Sequence, residues 1–242
     1  MQVHLTVTSV DYRPHGIAAI TVASDDSEAE AGGDVVPAVP HEHDGETEAE
    51  RTPTLILGDT AMLHRLTRGR TLTSAEWEAI REEGRLGLAV RHAMNLVARK
   101  PRSEAEIRRA LFTDAAAFTP SEVGDAMARL RDLGAVDDSR WASSYVAQPR
   151  ADGRGARLLR RELSQRGVDA ADATAALEGR DEYAACLAAA LKRTRTLRGL
   201  DREAARRRLY DFLRRRGFDD SVARRAMEIA LAELLAEAPT EA

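Results

Sequence analysis

The sequence predicts a mainly all-α protein: tandem three-helix repeats in an elongated curved array, preceded by a small N-terminal β-hairpin or three-stranded element that a disordered acidic loop interrupts. Three observations lead there. Ala, Leu, Arg and Glu dominate the second half of the 242 residues, and all four are good helix formers. Aromatic residues are only 4% of a chain that is 43% hydrophobic, so the core has to come from aliphatic stripes. The second half also matches itself at a shift of 50 residues.

At the N-terminus Val3, Leu5 and Val7 alternate with polar residues, and the turn-like Arg13-Pro14-His15-Gly16 leads into the β-branched stretch Ile17 to Val22. Period-two patterning on either side of such a turn predicts a β-hairpin. A third strand is expected at Leu55-Ile56-Leu57, ending at Gly58. Between them, residues 24–50 hold ten acids and no Lys or Arg. Such a segment cannot offset the entropy of ordering, so the acidic insert 24–52 is expected to be a disordered loop. The formal net charge of -4 (36 basic, 40 acidic) becomes 36 minus 30, or +6, once its ten acids are set aside.

Helix starts follow. Thr73-Ser74-Ala75-Glu76, Ser103-Glu104-Ala105-Glu106 and Thr119-Pro120-Ser121-Glu122 each fit a capping box, in which the hydroxyl and the Glu three residues on satisfy orphan backbone donors. Helical stripes come after them: Ile107, Ala110, Leu111; Val123, Met127, Leu130; Leu159, Leu163; Ala205, Leu209, Phe212, Leu213; Val222, Ala226, Ile229. Gly134, Gly167 and Gly217 close three of these stripes where a left-handed residue stops a helix.

The repeat places Arg157, Leu159, Leu163, Arg166, Gly167, Asp169, Ala173 and Ala176 on Arg207, Leu209, Leu213, Arg216, Gly217, Asp219, Ala223 and Ala226. The unit is helix, glycine stop, apolar residue, Asp cap, helix. In a third copy Leu111, Phe118 and Met127 stand for Leu163, Val168 and Leu177, with two extra residues in the turn TDAAAF. A period near 50 predicts units of about three helices that bury their stripes against neighbours. The expected organisation is a β element at 1–58, connecting helices at 59–86, repeats at 87–137, 138–182 and 183–235, and a tail at 236–242.

The search for chemistry finds no phosphate-binding glycine loop, no HExxH, no GxSxG and no paired-cysteine spacing. No catalytic residue, cofactor or metal is therefore expected, and the chain is read as a non-enzyme. His41 and His43 flank Glu42 inside the acidic stretch and read as solvated loop. Cys186, the one cysteine, sits among small apolar residues and reads as inert core; it also rules out an internal disulfide. Trp141 and Tyr145, one helical turn apart, read as core anchors in preference to a base-stacking pair. With no secretory leader and no apolar run of about 18 residues, a cytoplasmic monomer without membrane contact is expected.

The arginines carry the binding argument. Residues 150–225 hold twenty Lys and Arg against twelve acids. At about 100° per residue, Leu159 and Leu163 facing inward put Arg154, Arg157 and Arg161 on the opposite side, and Leu209 and Leu213 do the same for Arg207 and Arg214. With the flanking Arg208 and Arg215, these seven are the candidate partner-binding residues. The alternative is a solvated helix face.

Four segments, RKPRSEAEIRRAL (99–111), LRDLGAVDDSRWASSYV (130–146), GRGARLLRRELSQRGV (153–168) and DFLRRRGFDDSVARRAM (211–227), resemble the RecX family, regulators of the RecA recombinase, in order and spacing over residues 87–231. The resemblance implies tandem three-helix repeats lying in the groove of the RecA filament on single-stranded DNA. It further implies inhibition of filament growth, strand exchange, ATP hydrolysis and co-protease activity, with DNA phosphate as a further contact. The competing reading is a sequence-nonspecific nucleic-acid-binding helical protein or a helix-turn-helix-like transcription regulator built on the hairpin 119–134. Against it, residues 121–134 offer only Arg129 and Arg131 as bases.

Overall fold

A computed structural model describes residues 3–24 and 52–236. Four strands and ten helices lie among them: β1 (His4–Arg13), β2 (Ile17–Ser24), β3 (Thr54–Leu57), α1 (Gly58–Leu63), β4 (Thr71–Thr73), α2 (Ser74–Arg99), α3 (Glu104–Phe112), α4 (Pro120–Asp132), α5 (Asp138–Val146), α6 (Ala156–Gln165), α7 (Ala170–Ala175), α8 (Glu182–Thr194), α9 (Arg202–Arg215) and α10 (Asp220–Ala236). The chain forms two compact units, residues 1–99 with 108–135, and residues 100–107 with 136–242. Residues 25–51, which hold nearly all of the acidic insert with His41 and His43, lie outside the described residues, as does most of the tail.

In the first unit the expected hairpin is present, with a short 3-10 turn at Pro14–Gly16, and β3 pairs with β2. The sheet has four antiparallel strands in the order β3-β2-β1-β4, one more than the sequence predicted. The fourth, β4, pairs with His4 to Thr6. Thr73 both ends that strand and caps α2: its Oγ1 accepts from the Glu76 N–H at 3.2 Å and its own N–H donates to the Glu76 carboxylate at 2.8 Å. A cap that doubles as a strand residue hides so short a strand from pattern reading.

Val7, Ala18, Ile20, Ile56, Leu72, Trp77 and Ile80 form the core between the sheet and α2. α2 approaches so closely that a Cβ at Gly84 would lie 2.6 Å from that of Ile56. On the same buried stripe sits Arg85, 8% exposed. Its guanidinium donates to both oxygens of Glu122 at 2.7 Å and to the carbonyls of Ala116 and Ala117 at 2.8 and 3.0 Å, and lies 5.0 Å from the Phe118 ring centre. This ties α2 to the TDAAAF turn and to α4. Burial alone would raise the Glu122 pKa, but the bonds from Arg85 and Thr119 win and hold it below the ordinary carboxylate value.

The second unit contains two successive three-helix groups. The first packs Ala142, Tyr145, Ala151, Leu159, Leu163, Val168, Ala173 and Leu177 from α5, α6, α7 and their connections. The second packs Cys186, Ala190, Leu209, Leu213, Phe218, Ala223, Met227 and Ala230 from α8, α9 and α10. Cys186 is fully buried, and desolvation, with Glu182 adding to it, pushes its thiol up to about 12, so it stays protonated and unreactive at neutral pH. Asp137, Asp169, Asp181 and Asp201 cap α5, α7, α8 and α9.

The junctions between repeats follow one rule. Gly155, at the N-cap of α6, donates its N–H to the Arg216 carbonyl at 2.8 Å, and Arg157 donates to the Gly217 carbonyl at 3.2 Å. At the preceding junction the Ser103 hydroxyl donates to the Arg166 carbonyl at 2.5 Å. Donors at one helix start, backbone N–H groups in one case and a hydroxyl in the other, thus meet carbonyls left open at the next repeat's helix end. Gly167 and Gly217 make the approach possible. Each has positive φ (85° and 83°), and an added Cβ would run into Ala105 and Leu158, respectively.

Candidate partner-binding face

Helix boundaries decide where the seven candidate arginines go. α6 begins at Ala156, so Arg154 lies before the helix, and the wheel argument that faced it outward does not apply. Arg154 is half-buried instead, its Nη1 donating to both Glu162 oxygens at 2.7 Å. Glu162 also accepts from the Tyr145 hydroxyl at 2.9 Å. Arg154 is an internal tie of the second repeat.

The other six are exposed. Arg157 pairs with Asp219 at 3.6 Å, and its side chain remains 61% exposed. Arg214 pairs with Asp220, at the first turn of α10. Arg161, Arg207, Arg208 and Arg215 have no carboxylate partner among the described residues. Arg207 lines a shallow groove between α9 and α10 with Glu203, Arg206, Tyr210, Arg224 and Met227. The repeat equivalents Arg157 and Arg207 are therefore both outward, but only Arg207 is unpaired.

A second arginine system was not legible from the wheel. Trp141 and Tyr145 stack at 5.2 Å and 28°. Arg150 lies 4.4 Å from the Tyr145 ring centre, and Arg166 lies 5.3 Å from it and 5.8 Å from that of Trp141. Arg166 is neutralised by Glu106 at 2.6 Å. Tyr145 is 4% exposed, in keeping with a core anchor. In the third repeat Arg193 and Arg216 lie 5.3 and 5.1 Å from the Phe212 ring centre and line a groove with Lys192, Ala189, Gly153 and Asp152. The clue was there in the 50-residue shift, which sets Phe212 against Glu162.

Among the described residues no group of three or more His, Cys, Asp or Glu could hold a metal ion, and no helix is long and apolar enough to cross a membrane.

Family comparisons fall on the repeats. Residues 137–177 match the family model described as "RecX, second three-helix domain", and residues 180–227 match "RecX, third three-helix domain". A regulatory protein RecX of Chlorobaculum tepidum is 31% identical over 153 residues, covering 63% of this chain and 94% of the relative. One from Streptomyces coelicolor is 35% identical over 122 residues, covering 47% and 63%. A crystal structure of a regulatory protein RecX superposes with a TM-score of 0.62 at 19% identity, over 93% of this chain and 99% of the other. RecX from Lactobacillus salivarius gives 0.53 at 19% identity, over 63% and 97%. Both structures share the fold. With the relative from Chlorobaculum tepidum covered almost end to end and two of the repeats matched by family models, the chain belongs to the RecX family of regulatory proteins.

Proposed function

We propose that this protein is a negative modulator of the RecA recombinase that acts by binding along the RecA filament on single-stranded DNA, not by catalysis. The observation that carries the reading is the outward set of unpaired cations, Arg161 on α6 with Arg207, Arg208 and Arg215 on α9, held on successive repeats. A filament presents the same surface again and again, so contacts recurring on tandem repeats add through multivalency where each alone is weak. Bound in this way, the protein would impede filament growth and with it strand exchange, ATP hydrolysis and co-protease activity. Arg157 and Arg214 are second-rank contacts, because Asp219 and Asp220 already hold them.

The test is RecA's single-stranded-DNA-dependent ATP hydrolysis at substoichiometric protein. Inhibition and co-sedimentation with filaments are expected for the wild type. The triple variant Arg161→Glu/Arg207→Glu/Arg208→Glu, with unchanged helicity, should inhibit at least about tenfold more weakly if each reversed contact contributes about 0.5 kcal/mol. Unchanged ATP hydrolysis and no co-sedimentation with wild-type protein would remove the reading.

A further inference from the structure

The second and third repeats each have a groove between their first and second helices, and corresponding positions line both. Counted from the N-caps Asp137 and Asp181, Tyr145 of α5 corresponds to Ala189 of α8. At the 50-residue shift Glu162 corresponds to Phe212, and Arg166 to Arg216. Tyr145, Glu162 and Arg166 line the groove of the second repeat, and Ala189, Phe212 and Arg216 that of the third.

In the second repeat two carboxylates neutralise the groove, Glu162 on Arg154 and Glu106 on Arg166. In the third, both positions are apolar. Phe212 replaces Glu162, and Leu158 replaces Glu106, because Ile107 and Leu111 align with Leu159 and Leu163. The cations have not gone with the acids. Lys192, Arg193 and Arg216 line the groove against the single carboxylate of Asp152, and no ion pair forms between them among the described residues. The Arg193 Nε is buried with no hydrogen-bond partner among those residues. Such a donor is costly unless a ligand satisfies it.

We propose that this groove between α8 and α9, walled by Lys192, Arg193 and Arg216 around Phe212, is an oxyanion site that takes the phosphates of a nucleic-acid strand. Single carboxylates suit it poorly, since in the second repeat Glu106 is held by one arginine and Glu162 by one arginine and a hydroxyl. Three cations around one opening exceed that demand and match a polyanion. The segment Lys192-Arg193-Thr194-Arg195-Thr196-Leu197-Arg198 extends the positive charge, with four cations and no carboxylate in seven residues. A groove prolonged by a basic run tracks a backbone. With two guanidiniums on the Phe212 ring, recognition is of phosphate, not base, and so is indifferent to sequence.

The inference stands apart from the RecA reading, because it is tested with no recombinase present. Binding of a fluorescent single-stranded oligonucleotide is followed by anisotropy across a salt series. With about 0.7 in log–log slope per phosphate contact, Lys192→Gln/Arg193→Gln/Arg216→Gln should bind more weakly, with a slope shallower by about 2. Lys192→Gln alone, at an exposed position, should give about 0.7 and keeps the test valid if the triple variant does not fold. Phe212→Glu, which restores the second repeat's carboxylate, should also weaken binding. Wild-type affinity and slope in Lys192→Gln and in the folded triple variant would overturn the site. So would binding of poly-glutamate, or thermal stabilisation by inorganic phosphate at matched ionic strength, without binding of the strand.

Discussion

The second repeat closes its groove with a ring pair, three arginines and two carboxylates, whereas the third relies on a larger apolar cluster and leaves the two arginines of its groove, Arg193 and Arg216, without an ion pair among the described residues. The backbone plan is the same in both: Asp-capped first helix, glycine-stopped second helix, apolar residue, third helix. A repeat whose groove charges are mutually satisfied spends them on cohesion. One whose cohesion comes from Phe218, Leu209, Leu213 and Met227 has charge left for a partner. The two grooves therefore separate scaffold from interface within a single architecture.

The largest effect should come from the apolar side of this contrast. Phe218 is 1% exposed and takes the place that Val168, 4% exposed, holds in the second repeat. Phe218→Ala should destabilise by about 3–5 kcal/mol, read as a lower urea midpoint. A loss under about 1 kcal/mol would show that the third repeat is not held by its apolar cluster.

The polar side should give a smaller effect. Glu162→Gln keeps the shape but removes the charge that holds Arg154 and accepts from Tyr145, and both members of the ion pair are mostly shielded, at 25% and 20% exposure. A loss of about 1.5 kcal/mol is expected in urea unfolding, in the range for hydrogen bonds to charged groups. No loss would mean that the second repeat, like the third, rests on its apolar residues.

What the sequence revealed of this contrast depended on range. The three capping boxes at Thr73, Ser103 and Thr119 form as expected because each is written within four residues. The hairpin, the helical stripes and the glycine stops were equally local. The helical wheel misplaces Arg154 because it has no means of knowing that Gly155 is an N-cap. Trp77, Ile80, Gly84 and Leu88 put Arg85 on a buried stripe, but the acceptors that make its burial possible lie 31 to 37 positions along the chain. The pairing of Arg166 with Glu106 spans 60 positions and leaves no local mark. The groove of the third repeat needed two different offsets, 44 residues between the first helices and 50 between the second, so no single shift of the sequence could superpose its walls.

The smallest expected effect sets the acids of the two repeats against each other. Asp219, leading into α10, has its pKa lowered by hydrogen bonds from the Ser221 N–H and hydroxyl, with Arg157 and Arg214 assisting. A carboxylate with a depressed folded pKa stabilises above its unfolded value, near 3.8, and that contribution is lost as pH falls through the folded value. Asp138, in α5, is shifted the other way: desolvation outweighs the bond from the Glu104 N–H, and Glu104, Asp172 and Asp137 add repulsion. Its penalty is absent below the unfolded value and grows as pH rises through the raised folded one. Asp138→Asn retains an acceptor for Glu104, so it should stabilise at pH 7 by less than about 0.5 kcal/mol, a partly exposed charge being screened. The gain should vanish below the unfolded pKa. Asp219→Asn should instead destabilise at pH 7, and its deficit should close on acidification to below the depressed folded pKa. Urea midpoints of the two variants and the wild type across pH 2.5–7 would show the opposite signs. Equal signs would mean that the Asp138 environment is no more hostile to charge than that of Asp219, and that the acids of the second repeat serve cohesion without cost.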